Sequence, residues 1–150
     1  MNTSNDIRRG RHCTFNIHVH LVFVTKYRRG VITDRVFEKL SESWNRTAQK
    51  LGLNIVEANF EENYVHMHIE YPPSLSISKM VNALKGASSY SLRKADYPEV
   101  KKLLWGKHLW SPSYFVASCG GASLDILKQY INNQKGFLPV LKDGVSARSI

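Results

Sequence analysis

Tyr64-Val65-His66-Met67-His68-Ile69-Glu70-Tyr71 alternates between two sets of side chains without a break. A period of two belongs to a β-strand, whose successive side chains leave opposite faces. Val65, Met67, Ile69 and Tyr71 therefore share one side, and Tyr64, His66, His68 and Glu70 the other. At about 3.3 Å of rise per residue the two imidazoles leave the polar face roughly 6–7 Å apart at their roots, close enough to converge on one ion. Taken this way the pair is half of a metal site, lacking a third ligand. From this stretch alone, a half-exposed strand that carries two histidines and no metal is an equal alternative.

The flanking residues place the strand in a sheet. Leu53 to Phe60 (LNIVEANF) reads as a preceding strand, Glu61-Glu62-Asn63 as the turn between them, and Pro72-Pro73 as the stop, since proline removes backbone donors. Upstream, Phe15 to Thr25 (FNIHVHLVFVT) is rich in β-branched and aromatic residues and is long enough for a central strand. It holds a second His-x-His, His18 and His20. These share a face with Val22 and Val24, whereas Tyr64, His66, His68 and Glu70 form a face that is polar throughout. The later pair is therefore the expected wet site, and the earlier pair is expected to be packed or hydrogen-bonded beside a neighbouring strand.

Helical periodicity fills the intervals. Val36, Phe37, Leu40, Trp44, Ala48 and Leu51 recur at helical spacing between a Thr33 cap and the Gly52 stop. A second helix starts at the Ser76 cap, with Ile77, Met80, Val81, Leu84 and Leu92 inward and Lys79, Lys85, Arg93 and Lys94 outward; its small residues Gly86 to Ser89 allow close approach of a backbone or partner. Lys101 to Trp110 gives no clear path. Ser113 to Ser118 is a short strand, Gly120-Gly121 a point where the chain can change direction or swing, and Ser123 the cap of a last helix ending at Gln134, with Leu124, Leu127 and Ile131 on one stripe. Strand, helix, strand, strand, helix, strand is the ferredoxin-like or RRM-like order. This α+β class places an antiparallel sheet under helices on one face, leaves the other face open, and here adds a C-terminal helix.

A chain of 150 residues with 43% hydrophobic residues has the size of one domain with a proper core. Residues 1–12 are expected to form a flexible basic tail and residues 137–150 a C-terminal tail. With 21 Lys+Arg against 12 Asp+Glu the formal charge is +9, which favours a polyanionic partner, nucleic acid first. No apolar run approaches the roughly 20 residues that span a bilayer, so no membrane partner is expected. Cys13 and Cys119 make no Cys-x-x-Cys pair or disulfide framework, in keeping with a reducing cytoplasm. The basic stretch Lys26-Tyr27-Arg28-Arg29-Gly30 interleaves an aromatic ring with cations, which suits a phosphate backbone and a stacked base as well as it suits a solvated turn.

On the last helix Tyr130 and Gln134 are four apart and project from one face. The Gln134 amide oxygen can complete a ligand set begun by two imidazoles, and the same geometry brings the Tyr130 phenol to the ion. NIHVHLVFVTKYR from Asn16, YVHMHIEYPP from Tyr64, LWSPSYFVAS from Leu109 and YINNQ from Tyr130 together make an ordered set. In that set the chain resembles the single-tyrosine HUH (His-hydrophobic-His) transposases of small bacterial insertion sequences, the IS200-like TnpA type, from about Asn16 to Gln134.

The resemblance implies a metal-dependent transposase of single-stranded DNA. Tyr130 would be the nucleophile, giving a 5′-phosphotyrosine and a free 3′-OH. His66, His68 and Gln134 would hold Mg²⁺ or Mn²⁺. DNA hairpins at the element ends would be bound by a basic surface, assigned to Arg28, Arg29, Lys79, Lys85 and Arg93. A homodimer is implied in which the tyrosine helix of one subunit completes the His-x-His site of the other, with its hinge at Gly120-Gly121. The competing readings are an RRM-like single-strand binder without catalysis, a small phosphoesterase that activates water, and a replication-initiator or relaxase nuclease.

Overall fold

A computed structural model describes residues 7–104, 108–119 and 124–133. Its strands are β1 (Arg8–Arg9), β2 (Thr14–Phe15), β3 (His18–Val24), β4 (Asn54–Glu61), β5 (Tyr64–Glu70) and β6 (Phe115–Ser118), and its helices α1 (Asp34–Leu51), α2 (Ile77–Ala95), α3 (Pro98–Leu103) and α4 (Leu124–Asn133). The main sheet runs β4-β5-β3-β6 with every neighbour antiparallel. That is the expected ferredoxin-like arrangement, and it puts the His66 and His68 strand in the interior of the sheet.

The alternation at β5 sorts its two faces as expected. Val65, Met67 and Ile69, with Val19, Leu21 and Phe23 of the adjacent β3, form a dry layer under α1 and α2, and Leu21, Phe23, Met67 and Ile69 have no exposed surface. Burying each such side chain contributes about 1.5–3 kcal/mol. Both helices begin where their caps predict. Thr33 accepts from the Val36 amide at 3.3 Å and Ser76 from the Lys79 amide at 3.1 Å, each satisfying a donor that has no partner inside the helix. Gly52 ends α1 at φ 76°, in the left-handed region where a Cβ is disfavoured. The indoles of Trp44 and Trp110 are satisfied by the Leu84 carbonyl at 3.2 Å and the Ser88 hydroxyl at 3.1 Å.

Two stretches left open by the sequence are filled in, and two expectations need correction. The basic stretch after β3 is a short 3₁₀ turn at Lys26–Arg28 with Tyr27 and Arg28 at positive φ. Helix α3 falls at the edge of the stretch without a clear path; six residues opened by Pro98 are too few to show a period. Part of the presumed N-terminal tail is ordered. Arg8–Arg9 pairs with Thr14–Phe15, and the Arg8 guanidinium donates to Glu70 at 2.9 Å and to the Gly52 carbonyl at 2.7 Å. Finally, the second face of the sheet is not open along its length. Ile131 of α4 packs with Val22, Val24 and Tyr64, and Phe115 and Tyr130 close the edge of this smaller cluster. Ser123, the Gly120-Gly121 pair, Gln134 and both chain ends (residues 1–6 and 134–150) lie outside the described residues, as do the side chains of Leu124 and Leu127.

Candidate active site

Register decides what meets on the second face. His20 lies opposite His68, Val22 opposite His66, and His18 opposite Glu70, so both His-x-His pairs stand on the same side of the sheet in adjacent rows. Cross-strand neighbours on one face are within side-chain reach. The rings close that gap. His20 Nδ1 is 3.0 Å from His66 Nε2, and His18 Nδ1 is 2.8 Å from His68 Nε2. The expectation for His18 and His20, a hydrogen bond to a neighbouring strand, is met with the other His-x-His as the partner.

The expected wet face is drier than its composition suggests. His66 is 8% exposed, Glu70 2% and Tyr64 3%. Tyr64 is covered by Ile131, while the Glu70 carboxylate is taken by Arg8, which makes it a structural ion pair rather than part of the site. Burial pushes the His66 pKa down to about 4, helped by His20 and His68 and opposed by Glu57. His68 is lowered by burial first, then by His18 and His20, again against Glu57. His20 is lowered by burial against Glu57. Near pH 7 His66 is therefore neutral, the protonation state in which imidazole binds metals.

Glu57 is the residue the sequence reading missed. It lies opposite His68 across the β4–β5 ladder, just beyond a register shift between Ile55 and Glu57, and Asn59 donates to its carboxylate at 3.3 Å. Its charge is felt by His20, His66 and His68 alike. From the turn back to Glu57 the pairing is unbroken, Glu61 with Tyr64, Asn59 with His66 and Glu57 with His68, so the alternation of this strand is the signal that could have found it.

Tyr130 is on α4, on the histidine side of the sheet. Its ring packs on Phe115 with centroids 5.2 Å apart, and its hydroxyl is 3.3 Å from the Ser113 hydroxyl. Burial raises its pKa, against the Ser113 hydrogen bond and the Arg28 charge. Arg28 donates to the Ile131 carbonyl at 2.8 Å, so it holds the helix that carries Tyr130.

Among the described residues, no group of three or more His, Cys, Asp and Glu side chains is arranged to hold a metal ion. His66 and His68 supply two adjacent neutral nitrogen donors, which fits half of such a site, and each ring keeps an Nδ1 beyond its contact to His20 or His18. The third donor assigned from the sequence, Gln134, lies outside the described residues.

The basic residues divide. Lys79 and Arg93 are exposed on α2. Arg29 donates to the Leu103 carbonyl at 2.9 Å and lies 5.2 Å from the Tyr27 ring. Lys85, expected on the outer row, turns inward instead. Its ammonium reaches the carbonyls of Ser111, Pro112 and Ser113 at 2.7, 3.3 and 3.1 Å, and burial lowers its pKa.

The comparisons with known proteins agree with this architecture. The family model described as "Transposase IS200 like" matches residues 13–134. The ISDra2 transposase TnpA of Deinococcus radiodurans is 30% identical over 129 residues, 86% of this chain and 91% of the relative. The transposase for insertion sequence element IS200 of Salmonella typhimurium is 28% identical over 123 residues, 82% of this chain and 80% of that one. A crystal structure of a Deinococcus radiodurans R1 protein at 1.90 Å superposes with a TM-score of 0.74 at 35% identity, covering 85% of this chain and 97% of the other. A REP-associated tyrosine transposase bound to a REP hairpin shares the fold, with a TM-score of 0.53 at 9% identity over 83% of this chain and 68% of that one. With two neutral histidines on the sheet and a tyrosine helix docked on the same face, the chain belongs to the IS200-like transposase family.

Proposed function

We propose that this transposase cuts and rejoins single-stranded DNA at insertion-sequence ends, with Tyr130 as nucleophile and His66, His68 and Gln134 as ligands of Mg²⁺ or Mn²⁺. The observation that carries the reading is the placement of His66, His68 and the Tyr130 helix on one face of one sheet.

The Tyr130 oxygen, once deprotonated, attacks the scissile phosphorus. The bond to the 3′-oxygen breaks, the released 3′-oxygen takes up a proton, and the 5′-phosphate remains on tyrosine. When bound, the divalent ion withdraws charge from the non-bridging oxygens and from the departing oxygen. The phosphotyrosyl ester retains the activation of the bond it replaced, so an incoming 3′-OH rejoins DNA without ATP. Burial makes the Tyr130 phenol harder to ionise where it rests, and its hydroxyl is engaged by Ser113. In the proposed mechanism α4 leaves this seat before Tyr130 acts. In a homodimer the departing helix completes the site of the other subunit, and two tyrosines serve the two ends of an element.

Hairpin recognition is assigned to the cations that still reach solvent, exposed Lys79 and Arg93 and half-buried Arg29. Lys79 and Arg93 face solvent on α2, and Arg29 flanks the exposed Tyr27 ring. Arg28 and Lys85 are occupied within the fold, so their contribution to DNA binding is indirect. A cytoplasmic location is part of the proposal. Among the described residues no helix is long and apolar enough to cross a membrane.

The test incubates the protein with single-stranded oligonucleotides carrying element ends, in Mn²⁺ or EDTA. The proposal expects Mn²⁺-dependent cleavage that leaves a free 3′-OH and a 5′ end blocked by protein. A free 5′-phosphate would instead indicate water-activating hydrolysis, and binding without any cleavage would indicate a module that only holds nucleic acid.

A further inference from the structure

His18, in the second His-x-His, plays no part in the chemistry proposed above, yet it is tied into the first. His18 Nδ1 lies 2.8 Å from His68 Nε2, and on its other side His18 Nε2 lies 2.6 Å from the Asn16 amide oxygen. Proton accounting fixes the direction of this chain. With the Asn16 amide oriented so that its oxygen faces His18, that oxygen only accepts, and the hydrogen between the two belongs to His18 Nε2. A neutral ring with its hydrogen on Nε2 has a bare Nδ1, which accepts. The hydrogen between the two rings must then belong to His68 Nε2, and the lone pair of His68 resides on Nδ1. In a neutral pair no other assignment satisfies both contacts.

We propose that Asn16 and His18 form a positioning relay that holds His68 as the Nε2–H tautomer and presents its Nδ1 lone pair to the divalent metal. The inference rests on the reading of His66 and His68 as ligands. It adds which nitrogen His68 uses and which residues select it. Ligating histidines characteristically donate their other ring N–H to a fixed acceptor, which sets both tautomer and ring orientation. Here that acceptor is a second imidazole, itself fixed by an amide.

Histidine-labelled, metal-free protein at pH 8 tests the relay by long-range ¹H–¹⁵N correlation, which distinguishes the two neutral tautomers directly. Wild-type protein is expected to show His68 as a single Nε2–H species. In His18→Phe the acceptor is gone, and His68 should shift to averaged tautomer signals. His18→Gln, whose amide oxygen can replace the acceptor, should keep the wild-type signature. Mn²⁺ affinity, measured by electron paramagnetic resonance without DNA, should fall about 10-fold in His18→Phe, the lower end for loss of such a partner, and stay close to wild type in His18→Gln. Circular dichroism checks that each variant is folded. A wild-type His68 with its hydrogen on Nδ1, or a His18→Phe variant with unchanged tautomer and affinity, would overturn the relay while leaving the metal reading intact. Mn²⁺ affinity unchanged in both His66→Ala and His68→Ala would overturn the metal reading itself, and the relay's role with it.

Discussion

The two faces of the main sheet are built from the same strands and have opposite chemistry. On one, Val19, Leu21, Phe23, Val65, Met67 and Ile69 lie sealed under α1 and α2. On the other, alternate residues of the same strands supply His18, His20, His66 and His68, with α4 covering only the Val22, Val24 and Tyr64 end. The helix-covered face is held by broad apolar burial that only unfolding would undo. The α4 contact is smaller and is supplemented by single polar links, Arg28 to Ile131 and Ser113 to Tyr130. A strand can thus stabilise the fold with one set of positions and offer chemistry with the other. An element seated on the chemical face can leave without dissolving the core.

Substitutions can break this contrast. The largest effect is expected on the chemical face. Tyr130→Phe removes the proposed nucleophile and should lower single-strand cleavage at least about 10³-fold in a gel assay, while thermal unfolding and hairpin binding stay near wild type. Comparable loss of stability would mean that Tyr130 serves the fold. The mirror experiment is Met67→Ala, which leaves a cavity beneath the helices and should cost about 2–5 kcal/mol in denaturant unfolding. Should Met67→Ala prove nearly neutral, the faces would not divide the work as described.

Acid should sharpen the contrast further. His66 titrates at about 4 in the folded protein against an ordinary 6.5, facing His20 from β3, His68 from its own strand and Glu57 from β4. Between those values the unfolded chain binds more protons, so its contribution is complete above about pH 7 and is lost as pH falls from 6.5 through 4. The contribution is at most about 3 kcal/mol. Denaturant unfolding in EDTA at pH 7.5 and 4.5 should show this loss, reduced in His66→Gln. An equal loss in the variant would place the acid sensitivity elsewhere. The smallest expected effect concerns Gly86 on α2, where an added Cβ meets nothing within 4 Å. Gly86→Ala should stabilise by about 0.5–1 kcal/mol, as a helix propensity gain without a clash. Destabilisation would show that the small residues of α2 serve close approach after all.

What the sequence could reveal follows from range. The alternation of β5, the caps at Thr33 and Ser76, and the Gly52 stop are local signals, and the structure repeats them. The pairing of His18 with His68 and of His20 with His66 depends on cross-strand register, which period alone does not set. Glu57 was legible from alternation back from the hairpin turn, since the register is continuous from Glu61 to Glu57 and shifts only beyond it. Lys85 looked like one more outward cation because its partners, three carbonyls at Ser111, Pro112 and Ser113, come from a distant loop. A polar pattern marked the second face as wet. Arg8 and Ile131, both remote in sequence, bury the two ends of its β5 row.

The most direct measurement is to trap the protein on a single-stranded element end with Mn²⁺, digest it, and identify by mass spectrometry the residue that carries the 5′-phosphate. The account predicts the adduct on Tyr130, with its yield abolished in a His66→Ala and His68→Ala double variant. An adduct on another residue, or one formed equally well without the two histidines, would contradict it.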